Sequence, residues 1–185
     1  MSAPAPHPIH VSIANQQESL PLDYAQIRRA VRTVLLGENC RKAKISLAFI
    51  TDEAIHALNK RFLDHDYPTD VLTFPLEHGK NGLEGEIVIS SDTAISQGAE
   101  YGNDPQRELL LYVVHGVLHL MDYDDQTDAA ERAMRAREQH YLKLLEQPEE
   151  LPSAAPAAKV KPSGFTPKPG KRMPPKQNRP RRPGR

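Results

Sequence analysis

The fold can be predicted from one segment, LLLYVVHGVLHLMDYDD at residues 109–125. It combines the longest apolar run of the chain with two histidines and a cluster of aspartates. Asp104 and Pro105 precede it as a typical helix start, with an N-cap aspartate and a proline at the first helical position. We therefore predict a helix over about 104–121. Because the run is apolar nearly all the way round, we expect this helix to be buried at the centre of the domain.

His115 and His119 are four residues apart in this run, so a helix places both imidazoles on one face. Asp125 follows after a short break, and two helical histidines plus a later carboxylate can make a three-ligand metal site with an open position for water. Asp122 and Asp124 are rival third ligands. We prefer Asp125 because His-x3-His-x5-Asp matches the ligand spacing of metzincin proteases. The pattern predicts a zincin-like site for one Zn²⁺ per chain, and Mn²⁺, Ni²⁺ or Co²⁺ fit the same donors.

Two residues of the pattern depart from the protease motif H-E-x-x-H-x-x-G-x-x-H. Gly116 replaces the catalytic Glu, so we do not expect peptidase chemistry that uses this Glu as the general base. A glycine inside a helix indicates either a group that closely approaches the backbone or helix packing, and both interpretations stay open. Asp122 replaces the turn glycine, and Asp tolerates the positive φ that such a turn often needs.

Hydrophobic periodicity and turn residues predict four strands and five helices in the order β-α-β-α-β-β-α-α-α. The strands are expected at 10–13, 44–50, 70–74 and 86–90, with Pro75 ending the third strand and a turn at 78–85. The helices are expected at 23–36, 51–62, 92–101, 104–121 and from Asp128, the last with Ala129, Met134, Tyr141 and Leu145 on its inner face. We predict an α+β fold in which a mixed four-stranded sheet packs with helices around the buried central helix.

The neutral formal charge of the 185-residue chain hides an uneven distribution. The segment 151–185 holds ten of the 24 basic residues and none of the 24 acidic ones, so the first 150 residues carry a formal charge of about −10. We predict a disordered N-terminus at 1–8, a metallohydrolase domain at 9–147, and a disordered, basic, Pro-rich tail at 148–185.

Composition also indicates the cellular compartment in which the protein works. Cys40 is the single cysteine, so an intrachain disulfide is excluded and the thiol is expected to be idle. We see no secretory signal at the N-terminus and no apolar stretch long enough to span a membrane. These features predict a soluble, cytoplasmic protein without a membrane partner.

Three segments resemble the YbeY family of bacterial rRNA maturation factors, which are metal-dependent endoribonucleases. HGVLHLMDYDD at 115–125 resembles the family signature, LNKRFLDHDYPTDVLTFP at 58–75 a second block, and GEIVISSDTA at 85–94 a third. The blocks come in family order, and the resemblance covers about 10–147. It implies zinc ligation by His115 and His119. The third family histidine aligns with Asp125, which adds a negative charge to the site.

The resemblance implies hydrolysis of phosphodiester bonds in single-stranded RNA during rRNA maturation, including the 3′ end of 16S rRNA, and in ribosome quality control. The metal ion would polarise a phosphoryl oxygen, generate hydroxide from its bound water, or both. The general base and the nucleophile stay open, with Arg61, Thr69 and Asp70 as candidate neighbours. The family arginine of the second block aligns with Leu63, which weakens the expectation of strong nuclease activity.

The implied partners are ribosomal RNA and the small ribosomal subunit. Lysines and arginines on a flexible tail bind phosphates without reading sequence, and a solubilising role is the alternative. The candidate RNA-binding residues of the tail are Lys159, Lys161, Lys168, Lys171, Arg172, Lys176, Arg179, Arg181 and Arg182. Two other functions stay open for the whole chain: a metal-binding ribosome assembly factor that cuts nothing, and a metallohydrolase acting on another substrate such as a small ester.

Overall fold

The computed structural model describes residues 9–79, 82–147 and 176–177. The strands in these ranges are β1 (Ile9–Asn15), β2 (Ala43–Ile50), β3 (Val71–Gly79), β4 (Gly82–Ser90) and β5 (Lys176–Gln177). The helices are α1 (Tyr24–Gly37), α2 (Asp52–Leu63), α3 (Ser91–Tyr101), α4 (Pro105–Leu120) and α5 (Asp128–Glu146). The predicted N-terminal segment 1–8 and the tail apart from 176–177 lie outside the described residues, so their disorder stays a prediction.

The sheet is mixed, as expected, with the strand order β1-β2-β4-β3-β5. β1, β2 and β4 run parallel, and β3 pairs antiparallel with β4 through the hairpin that joins them. The predicted four strands form the body of the sheet. The two-residue β5 adds a short antiparallel pairing at the outer edge of β3, where Gln177 lies opposite Leu72 and Lys176 opposite Thr73.

The prediction that Pro75 ends β3 is wrong, and so is the predicted turn at 78–85. β3 continues to Gly79 and β4 already begins at Gly82, so the hairpin is longer and its connection shorter than the sequence indicated. The register of the pair shifts between Pro75 and Glu77. Since proline lacks an N–H donor, it is tolerated beside such an irregularity where β5 no longer pairs with β3, and here it does not break the strand.

Helices cover both faces of the sheet. The main core joins α1, α4 and α5 to one face, and a smaller apolar cluster joins Ile55 of α2 to Leu72 and Val88 on the other. α4 is buried continuously from Glu108 to Leu120, which confirms the predicted central helix. Its first turn is capped by Asp104, whose side chain accepts from the backbone N–H of Gln106 at 2.7 Å.

α4 lies unusually close to the sheet at two points one helical turn apart. A Cβ on Gly116 would meet Cγ2 of Ile87 at 2.7 Å, and a Cβ on Gly85 would meet Leu120 at 2.7 Å. A glycine on the helix thus faces a large strand residue, and a glycine on the strand faces a large helix residue. Of the two interpretations of Gly116, the structure therefore supports packing of the helix.

The inner face of α5 differs from the prediction at two positions. Met134, Tyr141 and Leu145 are buried as expected, whereas Ala129 is exposed because it lies in the first turn of the helix. Glu138 is buried instead, at 2% exposure, on the side that faces α4. Within the described ranges, no helix combines the length and apolarity needed to cross a bilayer.

Candidate metal centre

The structure brings together the three side chains that the sequence singled out as metal ligands. His115 and His119 lie one turn apart on α4, and Asp125 follows the end of that helix. One ligand atom from each residue lies within 4.8 Å of the other two, and all three residues are buried. Nε2 of His119 is 3.0 Å from Nε2 of His115 and 3.9 Å from Oδ2 of Asp125.

Hydrogen bonds fix which nitrogen of each imidazole faces the cluster. Nδ1 of His115 lies 2.5 Å from Oε1 of Glu138, and Nδ1 of His119 lies 3.0 Å from the backbone oxygen of Tyr123. Because a carboxylate and a carbonyl accept hydrogen bonds, each Nδ1 carries the proton and donates. Both Nε2 atoms are then left with lone pairs.

Two Nε2 atoms 3.0 Å apart in a buried place need either a proton or a metal cation between their lone pairs. The neighbouring carboxylate of Asp125 adds a negative charge that favours the same cation. Two imidazole nitrogens and one carboxylate oxygen are a donor set that divalent transition metals prefer. The residues present therefore fit a metal ion, and the His-His-Asp group could hold one.

The rival aspartates have other roles. The carboxylate of Asp122 is 64% exposed and lies 3.0 Å from Nδ1 of His78. Oδ1 of Asp124 accepts from the backbone N–H groups of Asp125 and Gln126, at 2.7 and 3.0 Å. Neither belongs to the buried group, so the structure favours Asp125 among the three.

The turn after α4 explains how Asp125 reaches the histidines. Asp122 adopts φ 67°, the left-handed conformation expected for the residue that replaces a glycine here. The N–H of Tyr123 then donates to the carbonyl of Leu118 at 3.1 Å, which ends the helix in a Schellman-type turn. This reversal of the chain brings the carbonyl of Tyr123 back to His119. It also directs Asp125 toward the face of α4 that carries the two histidines.

A small cleft of about 30 Å³ opens beside the histidines, enough for one or two water molecules. It is lined by Asp70, His115, Asp125, Glu131, Met134, Arg135 and Glu138. Four of these seven residues are acidic. Arg135 is the one cationic residue of the lining, and it forms an ion pair with Glu131 at 2.6 Å.

The three residues predicted to lie beside the metal site are Arg61, Thr69 and Asp70, and the structure places them differently relative to the cleft. Asp70 lines the cleft, and Oδ1 of Asp70 accepts from the hydroxyl of Thr69 at 3.2 Å. Arg61 does not line it, and its guanidinium lies 5.5 Å from the ring centroid of Phe62. Leu63, at the position of the family arginine, is partly buried against the smaller apolar cluster on the α2 side of the sheet. The catalytic roles of Arg61, Thr69 and Asp70 stay predictions.

The sequence reasoning missed Glu138 and Arg135. A signal for Glu138 was available, since it lies four residues after Met134 and three before Tyr141, on the apolar stripe of α5. A charged residue inside such a stripe is costly to bury unless it is paired. No comparable local signal marks Arg135, because its neighbours in the cleft come from other elements.

A second polar network ties the Asp-rich turn to the helices around it. The hydroxyls of Tyr123 and Tyr141 donate to Glu38 at 3.0 and 2.6 Å, and Arg137 lies 2.8 Å from the same carboxylate. Burial alone would raise the pKa of Glu38, but these hydrogen bonds and the charge of Arg137 outweigh it, so the pKa lies below its ordinary value. The network holds Tyr123, whose carbonyl orients His119.

Comparisons with known proteins agree with this geometry. The family described as endoribonuclease YbeY matches residues 12–146. A relative of that name in Salinibacter ruber is 36% identical over 150 residues, covering 77% of this chain and 96% of the relative. Another in Syntrophus aciditrophicus is 40% identical over 143 residues, with 73% and 89% coverage.

Two further comparisons bear on length and fold. A protein of the same name in Rhodopirellula baltica is 44% identical over 122 residues, or 65% of this chain, and the match spans 63% of the relative, less than two thirds of its length. A protein of Thermotoga maritima with a solution structure is 25% identical and superposes with a TM-score of 0.54, covering 73% of this chain and 88% of that one. The similarity therefore extends over the whole described α+β domain.

Proposed function

This chain belongs to the endoribonuclease YbeY family, and from that premise we propose that it is a metal-dependent endoribonuclease that cleaves single-stranded RNA. The observation that carries the proposal is the buried convergence of His115, His119 and Asp125 beside a cleft. The relatives are named endoribonuclease YbeY, and an endoribonuclease is a hydrolytic enzyme. Two imidazoles and a carboxylate are a donor set that hydrolytic metal sites use.

Zn²⁺ is the metal we propose, one ion per chain, held by Nε2 of His115, Nε2 of His119 and the carboxylate of Asp125. Mn²⁺, Co²⁺ and Ni²⁺ accept the same donors. When bound, such an ion supplies a Lewis acid that polarises a phosphoryl oxygen and makes water acidic enough to act near neutral pH.

The surrounding side chains hold and tune this site. Glu138 and the carbonyl of Tyr123 orient the two imidazoles through their Nδ1 atoms. Arg135 brings a positive charge to a mostly acidic cleft, where it can pair with a phosphate oxygen of the RNA. Asp70 is held in place by the N–H of Val71, which donates to it at 2.8 Å, and its carboxylate can orient a hydroxyl or a water molecule through a hydrogen bond.

We propose ribosomal RNA as the substrate, the small ribosomal subunit as the partner and the cytoplasm as the compartment. The uneven charge of the chain supports an RNA partner, since a basic tail offsets the repulsion between an acidic domain and a polyanion. Of the nine proposed tail contacts, only Lys176 lies in the described residues, where its backbone pairs with Thr73 of β3.

The test is cleavage of a single-stranded RNA by the purified protein and by His115→Ala. The variant is expected to lose most of the cleavage rate, because the ligand set is broken. His10→Ala is the matched control, since His10 is exposed on β1 and far in sequence from the metal group. Equal cleavage by the wild type and His115→Ala would reveal a contaminating nuclease and overturn the proposal.

One observation favours a second candidate, a metal-binding ribosome assembly factor that does not cut RNA. Leu63 places an apolar side chain against the smaller core cluster where the family carries an arginine. The same assay separates the two candidates. A wild type that binds the metal ion and RNA but leaves the RNA intact would support the assembly factor.

A further inference from the structure

The loop between α2 and β3, residues 64–70, presents a stacked pair of aromatic rings. The rings of His65 and Tyr67 are nearly parallel, with 13° between their planes and 5.3 Å between their centroids. Tyr67 is 50% exposed, the second most exposed large hydrophobic residue in the described part of the chain. An exposed tyrosine supported on one side by another ring offers its face to a planar ligand.

The backbone behind this pair is anchored. Asn59, which is fully buried in α2, donates from its side-chain amide to the carbonyl of Tyr67 at 2.8 Å. Asp66 lies between the two aromatic residues and pairs with Lys60 and His56, each at 2.9 Å. The loop is therefore hydrogen-bonded to α2 at Asp66 and at Tyr67. A loop held in this way loses little conformational entropy when a ligand packs on it.

The loop also leads directly to the candidate metal centre. It ends at Asp70, which lines the same cleft as His115 and Asp125. Tyr67 lies three residues before Asp70, so the two Cα atoms are at most about 11 Å apart. A base at this loop and a phosphate in the cleft can therefore belong to neighbouring parts of one RNA strand.

We propose that Tyr67, supported by His65, is a stacking platform for one base of single-stranded RNA, near the phosphate at the metal centre. The inference rests on the proposed function of that centre. Every base has a flat face, so such a platform accepts any sequence. Bases in a duplex are already stacked on each other, so the platform favours unpaired RNA.

The charges of the loop favour contact with a base over contact with a phosphate. Asp64 and Asp66 flank His65, and the carboxylate of Asp66 already contacts the ammonium of Lys60 and the ring of His56. A phosphate placed against this segment would meet two acidic side chains. The contribution of Tyr67 to RNA binding is therefore expected to change little between low and high salt, unlike a contribution from lysine or arginine.

The experiment measures binding of a short fluorescent single-stranded RNA to the full metal-loaded chain by anisotropy, with a gel to check that the RNA is intact. Tyr67→Ala is expected to raise the Kd about fivefold or more, the low end of the range for loss of one base stack. Tyr67→Phe keeps the ring and should bind within about twofold of the wild type. Tyr101→Ala is the matched control, since Tyr101 is an exposed tyrosine on α3, at 37% exposure.

A second arm changes the RNA and leaves the protein intact. A series of RNAs, each with one abasic nucleotide at a different place, should show one position where loss of the base weakens binding to the wild type. The same loss should have no effect on Tyr67→Ala. This arm tests the platform even if the alanine variant folds poorly.

The possible results separate this inference from the proposed function. An unchanged Kd for Tyr67→Ala, an equal loss in Tyr101→Ala, or a loss in Tyr67→Phe as large as that in Tyr67→Ala would overturn the platform. If the wild type still cuts RNA in that case, the proposed function stands. A wild type that neither binds nor cuts single-stranded RNA would overturn both.

Discussion

Oε1 of Glu138 lies 2.5 Å from Nδ1 of His115, and both side chains are almost completely buried. The carboxylate comes from α5 and the imidazole from α4, so the contact joins two helices at the point where the candidate metal centre forms. A carboxylate in this position sets the tautomer of the histidine and makes its other nitrogen a better metal ligand.

Replacing Glu138 is therefore expected to weaken metal binding without removing a ligand. Glu138→Ala should lower the affinity for Zn²⁺ by about 10- to 100-fold. Glu138→Gln, whose amide oxygen still accepts from Nδ1, should lie between the alanine variant and the wild type. A competition titration with a chelating dye gives the three affinities. Glu131→Gln is the control, because Glu131 lines the same cleft but pairs with Arg135. An alanine variant that binds as tightly as the wild type would show that Glu138 does not act on the metal centre.

Asp125 is expected to be the third ligand, so the metal content of each variant should depend on whether the new side chain can bind a metal ion. Asp125→Ala should reduce the metal content of the purified protein below one ion per chain, since two imidazoles alone make an incomplete site. Asp125→His should restore it. The control Asp124→Asn should keep full metal content, because Asp124 forms the turn and lies outside the buried group. Native mass spectrometry reports each occupancy, and full occupancy in Asp125→Ala would remove Asp125 from the ligand set.

Gly116→Ala should destabilise the fold even though alanine is the better helix former. The new Cβ would lie 2.7 Å from Cγ2 of Ile87, a branched side chain fixed in β4. Overpacking of this kind costs about 1–3 kcal/mol, which exceeds the gain in helix propensity of up to about 1 kcal/mol. We expect a net loss of about 1–2 kcal/mol in the free energy of unfolding, measured by urea denaturation. Gly79→Ala, whose Cβ would meet nothing within 4 Å, should change the stability by less than about 0.5 kcal/mol.

The network around Glu38 predicts a dependence of stability on pH. The pKa of Glu38 is lower in the folded protein than its ordinary value of 4.5, because hydrogen bonds from Tyr141 and Tyr123 and the charge of Arg137 outweigh the opposing effect of burial. Its stabilising contribution is therefore fully present above about pH 4.5 and is lost as the pH falls through the folded-state pKa.

Glu38→Gln should thus be less stable than the wild type by about 1 kcal/mol at pH 7, and the difference should shrink below pH 4.5. Urea denaturation at several pH values measures this. A difference that stays constant from pH 7 to pH 3 would show that the charge of Glu38 does not contribute.

Removal of the basic tail after Gln147 should change how RNA binding depends on salt. Each lysine or arginine that contacts a phosphate releases a counterion, so the truncated protein should show a smaller salt slope and its largest loss of affinity at low salt. Titrations of the full and truncated chains at two salt concentrations give both quantities. Identical slopes would show that the tail does not anchor RNA and would leave a solubilising role.

Local signals explain which features could be predicted from the sequence. The start of α4 and its burial depend on Asp104, Pro105 and the apolar run that follows, all within one segment. The spacing of His115 and His119 depends only on helical geometry. The left-handed turn at Asp122 was also predictable, because few residues other than Asp, Asn and Gly adopt it readily.

The remaining features depend on contacts between distant parts of the chain. β3 passes through Pro75 because its partner β4 continues to pair beyond a shift of register, which no single segment reveals. The burial of Glu138 follows from its pairing with a histidine 23 residues earlier. The spacing of the motif favoured Asp125 over Asp122 and Asp124, but the burial of Asp125 beside the histidines depends on the direction in which the turn points.

Anomalous diffraction from crystals of the zinc-loaded protein, recorded at the zinc absorption edge, would locate the metal ion. We expect one strong peak per chain, about 2.0–2.2 Å from Nε2 of His115, Nε2 of His119 and a carboxylate oxygen of Asp125. A peak located elsewhere, or no peak in crystals grown with excess zinc, would contradict this expectation.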